Sequence, residues 1–313
     1  MSEKSFAIVC DAGCDLPARY LERMGAVLVD GCAEKNDEQE LTARYEAAYR
    51  ALAREGVTQI AAVHSSPAFS LEVACACRAA ASCVDVAEVR VVESAAASAA
   101  TGMVVFRLAC LRQDGMPFED AVTRARALAE KVRLLVIPAR SPRFPDRRAR
   151  RKGTALIRRA TSSIRVRLSG ERGLYLLANG ELTQLARSVD LADLTGRLAR
   201  AMSAVAANEG SLVYACVETG DKQALRSLTK PLDTNEFDSR CLGTLRVTQG
   251  VEHVVGQGAV GVAFVPAQDY WGDSLSGDAA QSDREQPGGT HECDPVLSEN
   301  CPNKEASHEH PED

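Results

Sequence analysis

The chain has 313 residues, of which 45% are hydrophobic, 4% aromatic and 26% charged, with a formal net charge of −6. Such a length can bury two cores, and no run of 18 apolar residues offers a membrane span. The polar start Met1–Ser5, leading straight into Phe6–Cys10, lacks the basic opening and long apolar stretch of a secretory signal, so a cytoplasmic location is expected.

The first half reads as alternating strands and helices. Phe6–Cys10 is a short buried strand and Asp11–Asp15 a turn, with Asp15 and Pro17 set to open a helix through about Met24. Ala26–Val29 is a strand and Leu41–Glu55 an amphipathic helix. The strand Gln59–Val63 breaks into His64-Ser65-Ser66-Pro67, followed by a helix over Ser70–Ser82. Next come the strand Val89–Val92, helices over Ser98–Gln113 and Pro117–Lys131, and the strand Leu134–Ile137. This alternation predicts one parallel sheet covered on both faces.

The second half differs. Ile164–Leu168, Gly173–Leu177 and Leu182–Ala186 read as strands, the last two joined by a hairpin turn at Asn179-Gly180. A helix over Leu191–Asn208, a strand over Leu212–Glu218, a helix over Asp221–Leu232 and a strand over Cys241–Thr248 follow. The glycine-rich stretch 250–265 then holds Gly256, Gly258 and Gly261 between two apolar runs, with His253 upstream. A loop of that kind can turn backbone N–H groups toward an anion, although glycine loops also serve as plain turns.

Charge divides the chain. Residues 268–313 carry twelve acidic side chains against Arg284 and Lys304, a composition that predicts a disordered acidic tail. Residues 140–167 hold eleven Arg or Lys and one acid, Asp146, which reads as a solvated face or a contact surface. No nucleic-acid-binding motif or interleaved aromatics accompany the basic run. Most of the eleven cysteines lie in apolar or alanine-rich runs, as small core residues do. The tail's cysteines and histidines match no closed zinc spacing, so no metal is expected.

Small polar residues gather at the carboxyl ends of strands, where open α/β sheets bind ligands. Asp11–Asp15, His64–Ser70 and Glu93–Ser98 are three such ends. Ser70 and Ser98 stand at helix starts, where a hydroxyl either caps the helix or helps hold a carboxylate or phosphate. The chain has no Gly-x-Ser-x-Gly elbow and no phosphate-binding Gly-x-x-x-x-Gly-Lys-Ser/Thr loop. A Cys14 thiol paired with His64 or His253 is the one nucleophile arrangement left to consider.

Together these segments resemble the DegV family. Phe6–Pro17 is similar to its "IVTDSxxDLP" opening, Ser65-Ser66 with Phe69-Ser70 to its "SSxLSGT", and Val91–Ser94 through Ser98 and Gly102 to its "VIDSxxxSxGxG". Arg150-Arg151-Lys152-Gly153 resembles "LRKGGR", and Gly256–Phe264 resembles "HxGPGALGLAF". The matches run in family order over roughly residues 6–266. The resemblance implies an α/β protein of two domains. An N-terminal parallel sheet flanked by helices would fill 1–137, a C-terminal mixed α/β lipid-binding domain 138–267, and the tail 268–313.

The resemblance further implies a long-chain fatty acid in an apolar tunnel, no cofactor and no catalytic machinery. The bound carboxylate would be presented to the catalytic subunit of fatty acid kinase for conversion to an acyl phosphate. Carried over, the head-group residues are Ser65, Ser66, Ser70, Ser98, His253, Gly256 and Gly258, and the partner surface is Arg150, Arg151, Lys152 and Arg187. The chain departs from the family pattern in three places. Leu71-Glu72 replaces Gly-Thr after Ser70, the family's threonine segment is missing between Asp30 and Glu40, and His253 falls one residue early. A degenerate member working as an interaction protein is therefore the alternative.

Overall fold

The computed structural model describes residues 6–29, 37–67, 69–139, 170–234 and 237–271. Four strands, β1 (Ala7–Asp11), β2 (Ala26–Val29), β3 (Gln59–His64) and β4 (Glu88–Glu93), form an all-parallel sheet in the order β2-β1-β3-β4. β1 is buried at every position, as expected of a parallel strand covered on both faces. Six strands form a second, mixed sheet: β5 (Arg133–Ile137), β6 (Arg172–Ala178), β7 (Glu181–Ser188), β8 (Leu212–Glu218), β9 (Ser239–Arg246) and β10 (Val260–Pro266). Their order is β7-β6-β5-β10-β8-β9, antiparallel except for β8 with β9.

Helices separate and flank the sheets. On the outer face of the first lie α2 (Glu38–Arg54) and α3 (Glu72–Ser82), where Tyr45, Tyr49, Cys75 and Ala79 pack on Val9, Ile60 and Ala62. Between the sheets lie α4 (Ala99–Gln113) and α5 (Phe118–Ala129), packed on Ile8, Ala61 and Val63 of one sheet and on Val136, Val217 and Ala263 of the other. Outside the second sheet are α6 (Leu191–Glu209) and α7 (Lys222–Thr234), which cover Leu135, Tyr214, Cys216 and Phe264. Alternate residues of β8 thus enter different cores, Val213, Ala215 and Val217 facing inward and Tyr214 and Cys216 outward, as the twofold repeat of a strand requires. The architecture is five layers, helix–sheet–helix–sheet–helix. Three short helices complete it: α1 (Ala18–Met24), α8 (Gln249–Val255) and α9 (Ala267–Trp271).

The α/β class with a parallel sheet and a mixed sheet is as expected, with four local differences. The strand at 134–137, grouped by its alternation with the N-terminal helices, pairs antiparallel with β6 and β10 in the second sheet. Residues 249–255, taken as an apolar run before the glycine loop, form a helix. The first four residues of the expected tail are ordered: α9 includes them, buries Tyr270, and receives Arg107 Nη2 on the Trp271 carbonyl at 2.9 Å. Finally, Asp15 does not cap α1. It closes a single 3-10 turn over Ala12–Cys14 with a left-handed φ of 53°, and Pro17 stands at the cap position without a side-chain bond. The rest of the tail, the expected strand at 164–168 and the segment between Asp30 and Asn36 lie outside the described residues.

Candidate functional site

The three strand-end segments meet where the sheets face each other. Asp11, the last residue of β1, is buried, and its carboxylate gathers the neighbouring loops. Oδ1 accepts the Gly13 N–H at 2.7 Å and the Ser65 hydroxyl at 3.2 Å, and Oδ2 accepts the Ser65 N–H at 3.0 Å. His64 Nδ1 lies 3.1 Å from Oδ2 and 3.4 Å from the Tyr45 hydroxyl, and the Tyr45 hydroxyl donates to Glu72. The Thr101 hydroxyl reaches Ser65 Oγ at 3.5 Å and Ser94 Oγ at 2.8 Å. A largely buried polar chain thus ties β1 to β3 and α2 to α3. Ser65 belongs to this support and is not among the residues that line the cavity described below.

Glu72, one of the departures from the family pattern, is turned toward α2 by Tyr45. Burial and the nearby Asp11 and Glu72 charges raise the Tyr45 phenol far above its ordinary range, so the phenol keeps its proton and acts as the donor.

Asp15 is the second buried carboxyl. Its Oδ2 accepts the Ser98 hydroxyl at 2.5 Å, and its Oδ1 accepts the Thr248 N–H at 2.6 Å, just before α8. Burial pushes its pKa up to about 7, and the bonds from Ser98 and Thr248 hold it below what burial alone would give. Ser98 sits at the N-cap of α4 yet makes no cap bond. Its φ of 58° and ψ of −142° aim the hydroxyl at Asp15. Three of the four non-glycine residues with positive φ among the described residues, Asp15, Ala95 and Ser98, fall in these loops, and strain of this kind concentrates at binding sites. The hairpin tip at Asn179-Gly180, with φ of 50° and 70° as a type I′ turn needs, docks here as well, Gly180 N–H donating to the Ala95 carbonyl at 2.8 Å.

Beside this junction a small apolar cavity, partly open to solvent, lies between the second sheet and the loops of the first. Leu134, Val136 and Val217 form its floor, Val251 and Val255 of α8 one wall, and Phe69 and Ala97 the other. Ser98, Thr219 and Glu218 are its polar lining. Thr219 donates to the Ala259 carbonyl at 3.2 Å and accepts the Gly258 N–H at 2.7 Å.

The expected head-group residues are brought together in part. Ser98 lines the cavity, and Ser70 adjoins its wall residue Phe69, taking the Glu72 N–H on Oγ at 3.4 Å. Ser66 is buried, its N–H on the Ala96 carbonyl at 2.7 Å. Gly256 and Gly258 do not form an anion cradle: the Gly256 N–H bonds the Glu252 carbonyl at 2.7 Å and the Gly258 N–H bonds Thr219. His253 is on an exposed face of α8, so its offset is a rotation about a helix and not a change of strand face. Arg187 is exposed on β7 and bonds Gln184 at 3.0 Å, while Arg150, Arg151 and Lys152 lie outside the described residues. Thr219 and the role of Asp15 were missed from sequence; the second aspartate of the opening motif was the available signal.

The Cys14 nucleophile reading finds no support. Its thiol bonds Cys10, and that bond together with burial holds it protonated well above the ordinary thiol range. Among the described residues no group of side chains is arranged to hold a metal ion, and no helix is long and apolar enough to cross a membrane.

The fold and cavity define a two-sheet α/β protein with an apolar cavity at the junction of its sheets. Residues 35–143 match the sequence model described as "Uncharacterised protein, DegV family". Solved structures are similar in fold over most of the chain. A DegV family protein of Corynebacterium glutamicum superposes with a TM-score of 0.68 at 20% identity, covering 84% of this chain and 98% of that one. A fatty-acid-binding DegV family protein of Thermus thermophilus gives 0.67 at 18% identity over 83% and 99%. A stearic-acid-binding protein of Eubacterium ventriosum gives 0.67 at 15% identity over 85% and 99%. No curated protein matched the chain. Residues 35–143 thus match the DegV family model, and the fold is similar to that of solved DegV family proteins.

Proposed function

We propose that this protein binds one long-chain fatty acid, its acyl chain in the cavity between α8 and the second sheet and its carboxylate at the strand-end loops. The observation that carries this reading is the cavity itself: an apolar floor and walls, with its few polar groups including Ser98 beside Asp15. The DegV proteins of like fold that are described as fatty-acid-binding support the same ligand class. In this reading Ser98 and Ser70 supply the head-group hydroxyls, and His253 reaches the site only if α8 turns. The protein has no catalytic step of its own and presents the carboxylate to a kinase subunit for acyl-phosphate formation in the cytoplasm, with Arg187 and the basic run at 150–152 as the docking surface.

Protein purified from a bacterial host should carry a co-purifying fatty acid, identified by mass spectrometry of the denatured sample. A preparation with no acyl ligand that also takes up none on addition would rule the reading out. The second reading, a partner protein without lipid, is favoured by the exposure of His253 and the engaged N–H groups of Gly256 and Gly258. It predicts capture of the kinase subunit by ligand-free protein.

A further inference from the structure

The Asp15–Ser98 pair stands at the edge of the cavity, and donor counting shows what it can do. An ionised carboxylate only accepts hydrogen bonds, and a serine hydroxyl has a single hydrogen. While Asp15 is ionised, Ser98 gives that hydrogen to Oδ2 at 2.5 Å. The other polar lining groups have none to offer. The Thr219 hydrogen is engaged with the Ala259 carbonyl, and Glu218 accepts the Gly220 N–H. A ligand carboxylate arriving in this state meets a second buried carboxylate and finds the hydrogens of both lining hydroxyls, Ser98 and Thr219, engaged.

We propose that Asp15 couples anion binding to proton uptake: a proton placed on Oδ2 reverses the bond to Ser98 and frees the serine hydrogen to donate to the ligand carboxylate. The proton comes from bulk water. Oδ1 keeps the Thr248 N–H, so the fastening of α8 is retained while the direction of the Ser98 bond changes. Two like charges in a poorly solvated site become one. The proposal rests on the fatty-acid reading above.

The surroundings favour this assignment. Asp11, on β1, is the charge acting on Asp15, and it disfavours the ionised form. The turn contributes Cys14, a protonated thiol. The first turn of α4, Ala99-Ala100-Thr101-Gly102, has no charge. Glu252 and His253 lie on α8, Arg19 and Arg23 on α1, and Glu218 on the cavity wall. Burial sets the free carboxyl near neutrality, where a proton is readily taken up.

Calorimetric titration of the full chain with laurate at pH 6 to 9, in buffers of different ionisation enthalpy, measures the protons taken up. The expected result is uptake approaching one proton above pH 7, with apparent affinity falling up to about tenfold per pH unit there. Lauryl alcohol, which carries no charge, should bind without uptake. Asp15→Asn, whose amide can donate to Ser98, should bind laurate equally at pH 6 and 9. Ser98→Ala should bind more weakly at pH 6 and keep only the part of the pH dependence that comes from the Asp15 charge itself. Laurate binding without proton uptake, or a pH dependence that survives in Asp15→Asn, overturns the proposal and shifts the proton to His253 or Glu218. If Asp15→Asn does not fold, the proton count of the natural protein and the Ser98→Ala profile decide. Failure of both laurate and lauryl alcohol to bind at any pH overturns the fatty-acid reading, and this proposal with it.

Discussion

Asp15 also shapes stability through the same proton. Its carboxyl titrates near 3.8 when unfolded and near 7 when folded, because burial disfavours its charge. The native state therefore holds a proton that the unfolded chain has already released. Relative to an unperturbed aspartate, its contribution is most favourable below about pH 4, declines through the window from 4 to 7, and is lowest above that. The full span is about 4 kcal/mol as an upper bound. Asp15→Asn should flatten that segment of the pH–stability profile, measured by urea denaturation at pH 5 and pH 8; an unchanged slope would show that the carboxyl is ionised across the range. At the other end of the described chain, Tyr270 is 1% exposed and its hydroxyl has no hydrogen-bond partner among the described residues. Tyr270→Phe should therefore be neutral or stabilising by up to about 1 kcal/mol, since it removes an unsatisfied buried polar group. Tyr270→Ala should cost about 3–5 kcal/mol by opening a cavity. Thermal melts of the two variants separate packing from polarity at one position.

Among the elements, α4 is the most constrained. Ten of its fifteen residues are buried, which only a helix enclosed by two sheets requires. Gly102 allows the close approach: a Cβ there would stand 2.6 Å from the Cys14 carbonyl oxygen and 3.1 Å from Leu16. Gly102→Ala should destabilise by about 1–3 kcal/mol through overpacking, whereas Gly115→Ala, where nothing lies within 4 Å, should cost only the strain of its positive φ. Chemical denaturation of both variants tests this ordering.

Most element positions were legible in the sequence because their signals are local. The strands at 26–29 and 212–218 coincide with the apolar runs that announced them, and Asn179-Gly180 makes the predicted turn. What was not legible is non-local. Nothing in Leu134–Ile137 says which sheet it joins, because an apolar strand fits either. Valines at 251, 254 and 255 suit a strand by propensity, yet helix spacing puts Val251 and Val255 on one side, against the cavity. The bond from Thr248 to Asp15 spans 233 residues and has no sequence signature. The strand-end serines were found, but which of them faces ligand space depended on Asp11 taking Ser65 inward.

Across the molecule, one apolar core passes from the first sheet through α4 and α5 into the second. Residues on both sides of position 137 share it, so fragments divided there would each expose a face of that core. The full chain should accordingly unfold in one calorimetric transition, and two resolved transitions would contradict the shared core.

The five-layer stacking also decides where the cavity can widen. A close-packed interior does not stretch evenly; it gives way where fewest partners resist. On the floor side the cavity is backed by the central strands of a six-stranded sheet, and beyond Ser98 by a helix enclosed on both faces. On the remaining side stands α8, seven residues long, with one buried side chain and the Asp15 bond at its entrance. Dilation is therefore directional. The α8 wall has the least packing behind it, and its tie to Asp15 through the Thr248 N–H sets how far it can move from the first sheet.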